Sequence, residues 1–214
     1  GPWRIYVQGS FSGLMPFIAK GTLDIVKPMV DKINSSGGIN GRKLELVVQD
    51  DKAILTIAAT MAKEAINDPN HLLTIGSPFS SIALPISKIY EKNSKIYVTA
   101  YATNPKIAEV GPHVFQLCFT DNFQAKVLAQ LTYEKLKPKK VLVLKNESDP
   151  YSSGLSDEYI KNMKKHSSIE LSELSYIFDN IDYKNIVAKI EAKKPDLIFL
   201  PELKMRAAEI LPSL

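Results

Sequence analysis

The sequence predicts an α/β protein of two doubly wound parallel-sheet lobes, residues 1–120 and 121–214, the second of them incomplete. Three observations predict it. Short, nearly continuous apolar runs alternate with longer segments of helical period, as expected of parallel strands covered on both faces by crossover helices. That rhythm restarts near Thr120, so the pattern, though not the sequence itself, is repeated. The second half stops at Leu214 after three strand–helix units. Right-handed crossovers then make each half a layered sandwich.

Taken in order, Trp3 to Gly9 (WRIYVQG) reads as a strand and SFSGLMP as a loop. From Phe17 to Asn34 the apolar residues Ile18, Ile25, Val26, Met29, Val30 and Ile33 keep helical spacing, with Pro28 expected to kink the helix. Ser35-Ser36-Gly37-Gly38 ends it, because glycine accepts the left-handed backbone of a C-cap. Lys43–Gln49 is the second strand and 54–67 the second helix; strands at 72–75 and 96–99 flank a helix over 80–91. Val114 to Phe119 is a further strand. In the second half, helices are expected over 122–136, 151–165, 183–192 and 203–211. Strands are expected at 140–144, 169–177 and 196–200, and Pro138 and Pro195 mark the turns before two of them.

Composition narrows the function. With 45% hydrophobic and 23% charged residues, the chain can bury a core and is not disordered. The formal net charge of +4 is spread thinly over both halves, and no basic face suggests nucleic acid. No run approaches the roughly 20 apolar residues that span a bilayer, so a soluble chain is expected. Cys118 is the single cysteine and lies in an apolar run, where a buried, inert thiol is expected. His71, His113 and His166 are scattered and support neither a catalytic thiol nor a metal site.

Ligands of open α/β sheets bind at the carboxyl ends of strands. The loops there carry hydroxyls, amides, aromatics and glycine, but no nucleophile–base–orienter set. The phosphate loop, the dinucleotide turn and the nucleophile elbow are all missing from the sequence. Asp50-Asp51 reads as a solvated strand end with a helix N-terminal charge; a metal there would need further ligands from elsewhere. The loop Gly76-Ser77-Pro78-Phe79-Ser80-Ser81 opens a helix. Either serine can cap that helix, or its free N–H groups can hold an anion such as a ligand carboxylate. Tyr101-Ala102-Thr103-Asn104-Pro105 follows the next strand, and adjacent parallel strands would bring the two loops side by side. Two polar loops without acid, base or metal fit recognition better than reaction, so neither catalytic residues nor a cofactor are expected.

These segments carry a resemblance. GSFSG (9–13), INSSGGINGRKLELVVQDD (33–51), IGSPFSSIALPISKIY (75–90), ATNP (102–105) and DPYSSGL (149–155) resemble, in order and spacing, the periplasmic type I solute-binding proteins of branched-chain amino acid ABC transporters. The resemblance implies two α/β lobes that close by a hinge on an amino acid. It implies that Ser80 binds the ligand α-carboxylate through its hydroxyl and backbone N–H, and that Thr103 binds the α-ammonium or carboxylate with the Tyr101 backbone beside it. Tyr151 of the second lobe would close over the ligand. Ile18 or Phe17 would wall the side-chain pocket, and Phe79 would add bulk at its rim. Some members close a disulfide at positions that here read Ala53 and Phe79, so none forms. Where many members have a Gly/Tyr-rich loop after the strand DLIFL, this chain has Pro201-Glu202-Leu203. Members also run well beyond residue 214.

The function so implied is an extracytoplasmic solute-binding protein delivering an amino acid or similar small polar solute to an ABC permease in the membrane. The alternative is the ligand-binding sensor domain of a signalling receptor with the same fold. A monomer, periplasmic or anchored at the cell surface, is expected. Gly1-Pro2 reads as a protease scar, with any signal peptide removed.

Overall fold

The computed structural model describes residues 1–213. The chain divides into two compact units, Gly1–Cys118 and Phe119–Leu214. The first holds β1 (Trp3–Gly9), α1 (Pro16–Ser35), β2 (Leu44–Asp50), α2 (Leu55–Asn67), β3 (His71–Ile75), α3 (Ser80–Lys92), β4 (Tyr97–Thr99) and β5 (Val114–Gln116). Its five strands are parallel in the order β2-β1-β3-β4-β5. The alternation of strand side chains splits the faces. Ile5 and Leu44 pack with Val30 of α1, together with Leu46, Leu73 and Ile75. On the other face Gln8 donates to the Ala58 carbonyl and Gln49 to the Met61 carbonyl, both of α2.

α1 runs unbroken through Pro28 and ends where the glycines were expected to end it. Gly38 has φ +81, its N–H donates to Ile33 O at 2.9 Å, and an added Cβ would lie 2.1 Å from Arg42 O. Only glycine fits there. Asn34, in the last turn of α1, then clamps the start of β2: Leu44 N–H donates to Asn34 Oδ1 at 2.7 Å, and Asn34 Nδ2 donates to Leu44 O at 2.9 Å. Asn34→Ala removes both partners at once and is expected to cost about 2 kcal/mol in chemical denaturation, from two net hydrogen bonds.

The second unit holds α4 (Asp121–Leu131), β6 (Lys140–Asn146), α5 (Pro150–Met163), β7 (Glu170–Tyr176), α6 (Tyr183–Lys193), β8 (Leu197–Phe199) and α7 (Lys204–Ile210). Its parallel sheet has the order β7-β6-β8. Central β6 is buried on both faces: Val141 and Val143 pack with α4 and α5, while Leu142 and Leu144 pack with α6 and α7. This explains why its sequence is an apolar run and not an alternation.

Several boundaries differ from expectation. The strand expected over 114–119 ends at Gln116, whose amide turns to the Ala102 carbonyl at 2.6 Å. Beyond it Leu117 and Phe119 are exposed, and Cys118 is half-buried, not buried, with its thiol donating to Ala102 O at 3.3 Å. The helix expected over 122–136 gives way at Thr132 to a wider π turn, Thr132–Leu136, closed by Lys137 in the left-handed conformation. Short 3₁₀ turns at Pro105–Ile107 and Phe178–Asn180 had no periodic signal. No helix among the described residues is long and apolar enough to cross a membrane.

Candidate functional site

The strand ends of the first unit carry the candidate site. β3 and β4 are neighbours, so the loops that follow them lie side by side, as expected. The Asn104 N–H donates to Ser80 Oγ at 3.4 Å, tying the second loop to the first. The Ala102 N–H donates to Thr99 Oγ1, and Asn104 Oδ1 accepts from the Lys106 N–H, which folds Ala102–Lys106 back on itself. Gln116, at the end of β5, holds the Ala102 carbonyl from the far side. Asn104, named only as part of its loop, and Gln116, not named as a site residue, are thus positioning residues. The signal for Gln116 was an amide one strand away from a polar loop.

Ser80 and Ser81 do not cap α3. The residue before the helix is Phe79, in extended backbone, and no side chain caps the N-terminus. The first turn of a helix leaves N–H groups without intrahelical acceptors, at the positive end of its dipole. By contrast α5 is capped by Asp149, whose Oδ1 accepts from the Tyr151 N–H at 2.9 Å. The uncapped α3 terminus at a strand-end loop is the arrangement that accepts a carboxylate.

The remaining expected residues fall as follows. Tyr101 is 51% exposed. It shares a small cleft with Gly9, Ala19, Thr22, Gly76 and Pro78, between the end of β1, α1 and the two loops. Thr103 and Ile18 are half-buried. Ile18 lies in the first turn of α1 beside Ala19, which lines that cleft. Phe79 is only 7% exposed, so its ring is packed inside the unit and does not stand at a rim.

The Asp50-Asp51 pair also departs from the solvated reading. Asp50 accepts from the N–H groups of Phe11, Ser12 and Lys52 and from the Ser12 hydroxyl, fastening the β1–α1 loop to the end of β2. Burial opposes its ionisation, but these donors outweigh it and hold its pKa below the usual carboxylate value. Asp51 is fully buried, with Oδ1 accepting from the Ala53 N–H at 2.8 Å. Burial pushes its pKa up.

In the second unit Tyr151 is the second residue of α5, half-buried, its hydroxyl accepting from Gln124 Nε2 at 3.4 Å. At the same sheet end stands a network with no advance signal. Glu202 accepts from Asn146 Nδ2 at 2.7 Å and from the Tyr176 hydroxyl at 2.8 Å, while Arg206 pairs with Asp149 at 2.8 Å and lies over the Phe178 ring. The carboxylate at 202 therefore organises its own loop.

Polar loops at the ends of parallel strands and an uncapped helix N-terminus, with no assembled nucleophile among the described residues, fit a ligand-recognition module of the α/β class. A family model described as periplasmic binding protein matches residues 2–203, and the chain belongs to that family. It is 29% identical over 182 residues to an amino acid binding protein of Pseudomonas aeruginosa, covering 85% of this chain and 48% of that one. It is 27% identical over 190 residues to Leu/Ile/Val-binding protein homolog 1 of Brucella suis biovar 1, covering 85% and 49%. Similar solved structures include the leucine binding protein LivK from Thermotoga maritima, at 26% identity and TM-score 0.78, covering 92% of this chain and 55% of that one. Another is an ABC transporter substrate-binding protein from Desulfitobacterium hafniense in complex with Leu, at 25% identity and TM-score 0.78, covering 100% and 62%. The chain spans about half the length of the curated relatives it matches.

Proposed function

We propose that this chain belongs to an extracytoplasmic solute-binding protein that captures an amino acid, or a similar small polar solute, for an ABC transporter. Ser80 and the N-terminus of α3 would take the ligand carboxylate, with Thr103 and the Tyr101 backbone beside them. Ile18 would wall the side-chain pocket, with Phe79 shaping the loop from within. Tyr151 would close over the ligand from the second lobe. The observation that carries the reading is the uncapped start of α3, with the Ser80 hydroxyl and the β4 loop brought together by the Asn104–Ser80 hydrogen bond. The names of the relatives, which bind amino acids and in one case hold leucine, support the same ligand class.

The mechanism is binding without bond-making, so no catalytic group or cofactor is assigned. A ligand that prefers the closed form shifts the open–closed equilibrium of residues 1–120 against 121–214, and a membrane permease reads the closure. Such a protein works outside the cytoplasm, as a monomer in the periplasm or anchored at the cell surface. Calorimetry of the whole protein against a panel of amino acids tests this reading. Ser80→Ala and Thr103→Ala are each expected to weaken the best ligand by at least about 1 kcal/mol, the scale of a lost hydrogen bond to a charged group. If neither weakens binding, the site is elsewhere; if no amino acid binds, the ligand class is wrong.

A further inference from the structure

The even spread of charge along the sequence conceals its distribution in the second unit. β6, β7 and β8 are parallel, so the segments that precede them share one end of the sheet and the segments that follow them share the other. The preceding segments, 137–139, 164–169 and 194–196, carry Lys137, Lys139, Lys164, Lys165 and Lys194 against the single acid Asp196, a net +4. The following segments, 147–149, 177–182 and 200–203, carry five acids and no lysine or arginine, a net −5. Residues 119–214 together hold 15 lysines and arginines and 14 acids, so the unit is almost neutral and yet bipolar. The two ends lie about 20 Å apart along β6, roughly twice the distance over which salt screens a charge. Each end therefore presents its own sign.

Helix dipoles account for part of this pattern. At the acidic end Asp149 and Asp182 cap α5 and α6, accepting from the Tyr151 and Asn185 N–H groups. At the basic end α5, α6 and the π turn after α4 terminate, and a lysine suits the negative end of each. A helix end is worth about half a charge, so three of them offset less than half of the +4. All five lysines are exposed, and among the described residues none is ion-paired; Lys165 donates to Asn162 Oδ1 at 3.0 Å. Asp196 is engaged by the N–H groups of Lys139 and Lys140 at 2.9 and 2.8 Å. Beside it Leu136 is 56% exposed and lines an open groove with Pro138 and Leu197.

We propose that this basic end of the second unit is a docking surface for an anionic phospholipid membrane. Its segments hold lysine and no arginine. Lysines are strongly hydrated point charges without the planar fork that grips one phosphate or carboxylate bidentately. A charged lipid surface needs no such fork. It attracts each lysine that comes within about a Debye length, and an exposed apolar side chain such as Leu136 can enter the headgroup layer. The same lipid repels the acidic end. The second unit therefore docks in one orientation, with its strand-end segments and Tyr151 turned away from the bilayer. The proposal takes from the proposed function its extracytoplasmic setting and none of its ligand contacts.

The test is co-sedimentation of the full chain with vesicles of phosphatidylcholine alone or with about 30% phosphatidylglycerol, at about 50 mM and about 500 mM salt. Binding is expected on the phosphatidylglycerol vesicles at low salt, with loss at high salt and none on phosphatidylcholine. Lys139→Glu/Lys164→Glu/Lys194→Glu should lower the partition at least about ten-fold. Lys27→Glu/Lys63→Glu/Lys88→Glu, on α1, α2 and α3, changes the net charge equally and should stay close to the wild type. Glutamine at 139, 164 and 194 serves if the first variant fails to fold, with a smaller loss of the same sign. Equal losses in the two glutamate variants, or equal binding to both kinds of vesicle, would overturn the proposal. Binding of duplex DNA as tight as that of the phosphatidylglycerol vesicles would also overturn it, as the end would then be a general polyanion site. Calorimetry with amino acids on the same samples separates the two readings. A protein that binds an amino acid and ignores the vesicles overturns the membrane docking alone, and one that binds the vesicles and no amino acid overturns the solute reading alone.

Discussion

Acidification from about pH 6.5 to about pH 4 is expected to destabilise the first unit by about 3 kcal/mol through His71 alone, and His71→Phe is expected to remove that loss. His71 opens β3 and is 6% exposed, its ring between those of Tyr6 and Tyr90 at 5.5 and 5.8 Å. Nε2 meets Thr74 Oγ1 at 2.9 Å, and Nδ1 has no partner. Burial, and secondarily the charge of Lys95, push its pKa down to about 4 from 6.5, against a smaller opposing pull from Asp68. The folded state therefore holds the neutral imidazole. A depressed folded pKa means stability that is full above the unfolded value and is lost as pH falls towards the folded one. Phenylalanine keeps the ring stack and cannot titrate. It forfeits the Thr74 hydrogen bond, a pH-independent offset of about 1 kcal/mol. Urea titrations of both proteins at several pH values isolate the effect, because the titrating groups common to both cancel in the difference. A difference that stays constant from pH 7.5 to 4 would show that His71 is not the acid-sensitive group.

The same face of the first sheet marks the limit of what the sequence discloses. Strand and helix positions were legible because burial writes a period into the chain: Val141 to Leu144 is an apolar run because both faces of β6 are covered. The meeting of the Gly76 and Tyr101 loops was legible too, since it follows from strand adjacency in a parallel sheet. Polar burial writes no such period. Gln8, Gln49, Asp51, Thr74 and Ser77 are polar and all buried, and Asp51 was expected at a solvated strand end. Asp51 was misread for that reason, and Phe79, expected at a pocket rim, is buried instead. The links Asn104–Ser80, Asn146–Glu202 and Asp149–Arg206 join residues 24, 56 and 57 positions apart. Pairing at that separation is decided by the fold, and no local spacing announces it. The resemblance pointed to Ser80 and Tyr151 through their motifs, but it could not say that Glu202 would be spent on its own loop.

Tyr159→Ala is expected to be the most damaging single substitution in the second unit, costing about 4 kcal/mol, within the range for an aromatic side chain deleted from a core. Tyr159 is wholly buried in α5, among Ala125, Ala129, Val143 and Met163. Its ring stacks on Phe199 at 3.8 Å and 7° between planes. Phe199 is one of three residues in β8, the edge strand paired with β6 that leads to Glu202, so the stack adds to the ladder that holds it. The hydroxyl lies 2.8 Å from Thr132 Oγ1, and Thr132 itself donates to the Leu128 carbonyl. Thr132 has one proton and spends it on Leu128, so Tyr159 is the donor. That bond secures the point where α4 widens into its π turn. Tyr159→Phe separates the two roles, because it keeps the stack and strands only the Thr132 acceptor, at about 1 kcal/mol. Denaturant unfolding of both variants measures the split. A phenylalanine variant as unstable as the alanine one would place the weight on the hydroxyl, and an alanine variant within about 1 kcal/mol of wild type would mean the site collapses without a cavity. With the cavity left open, Phe199 loses its partner face and β8 loosens first. Amide exchange at 197–199 should then rise before that of β6, and the Asn146–Glu202 bond should be the first of the strand-end contacts to be lost.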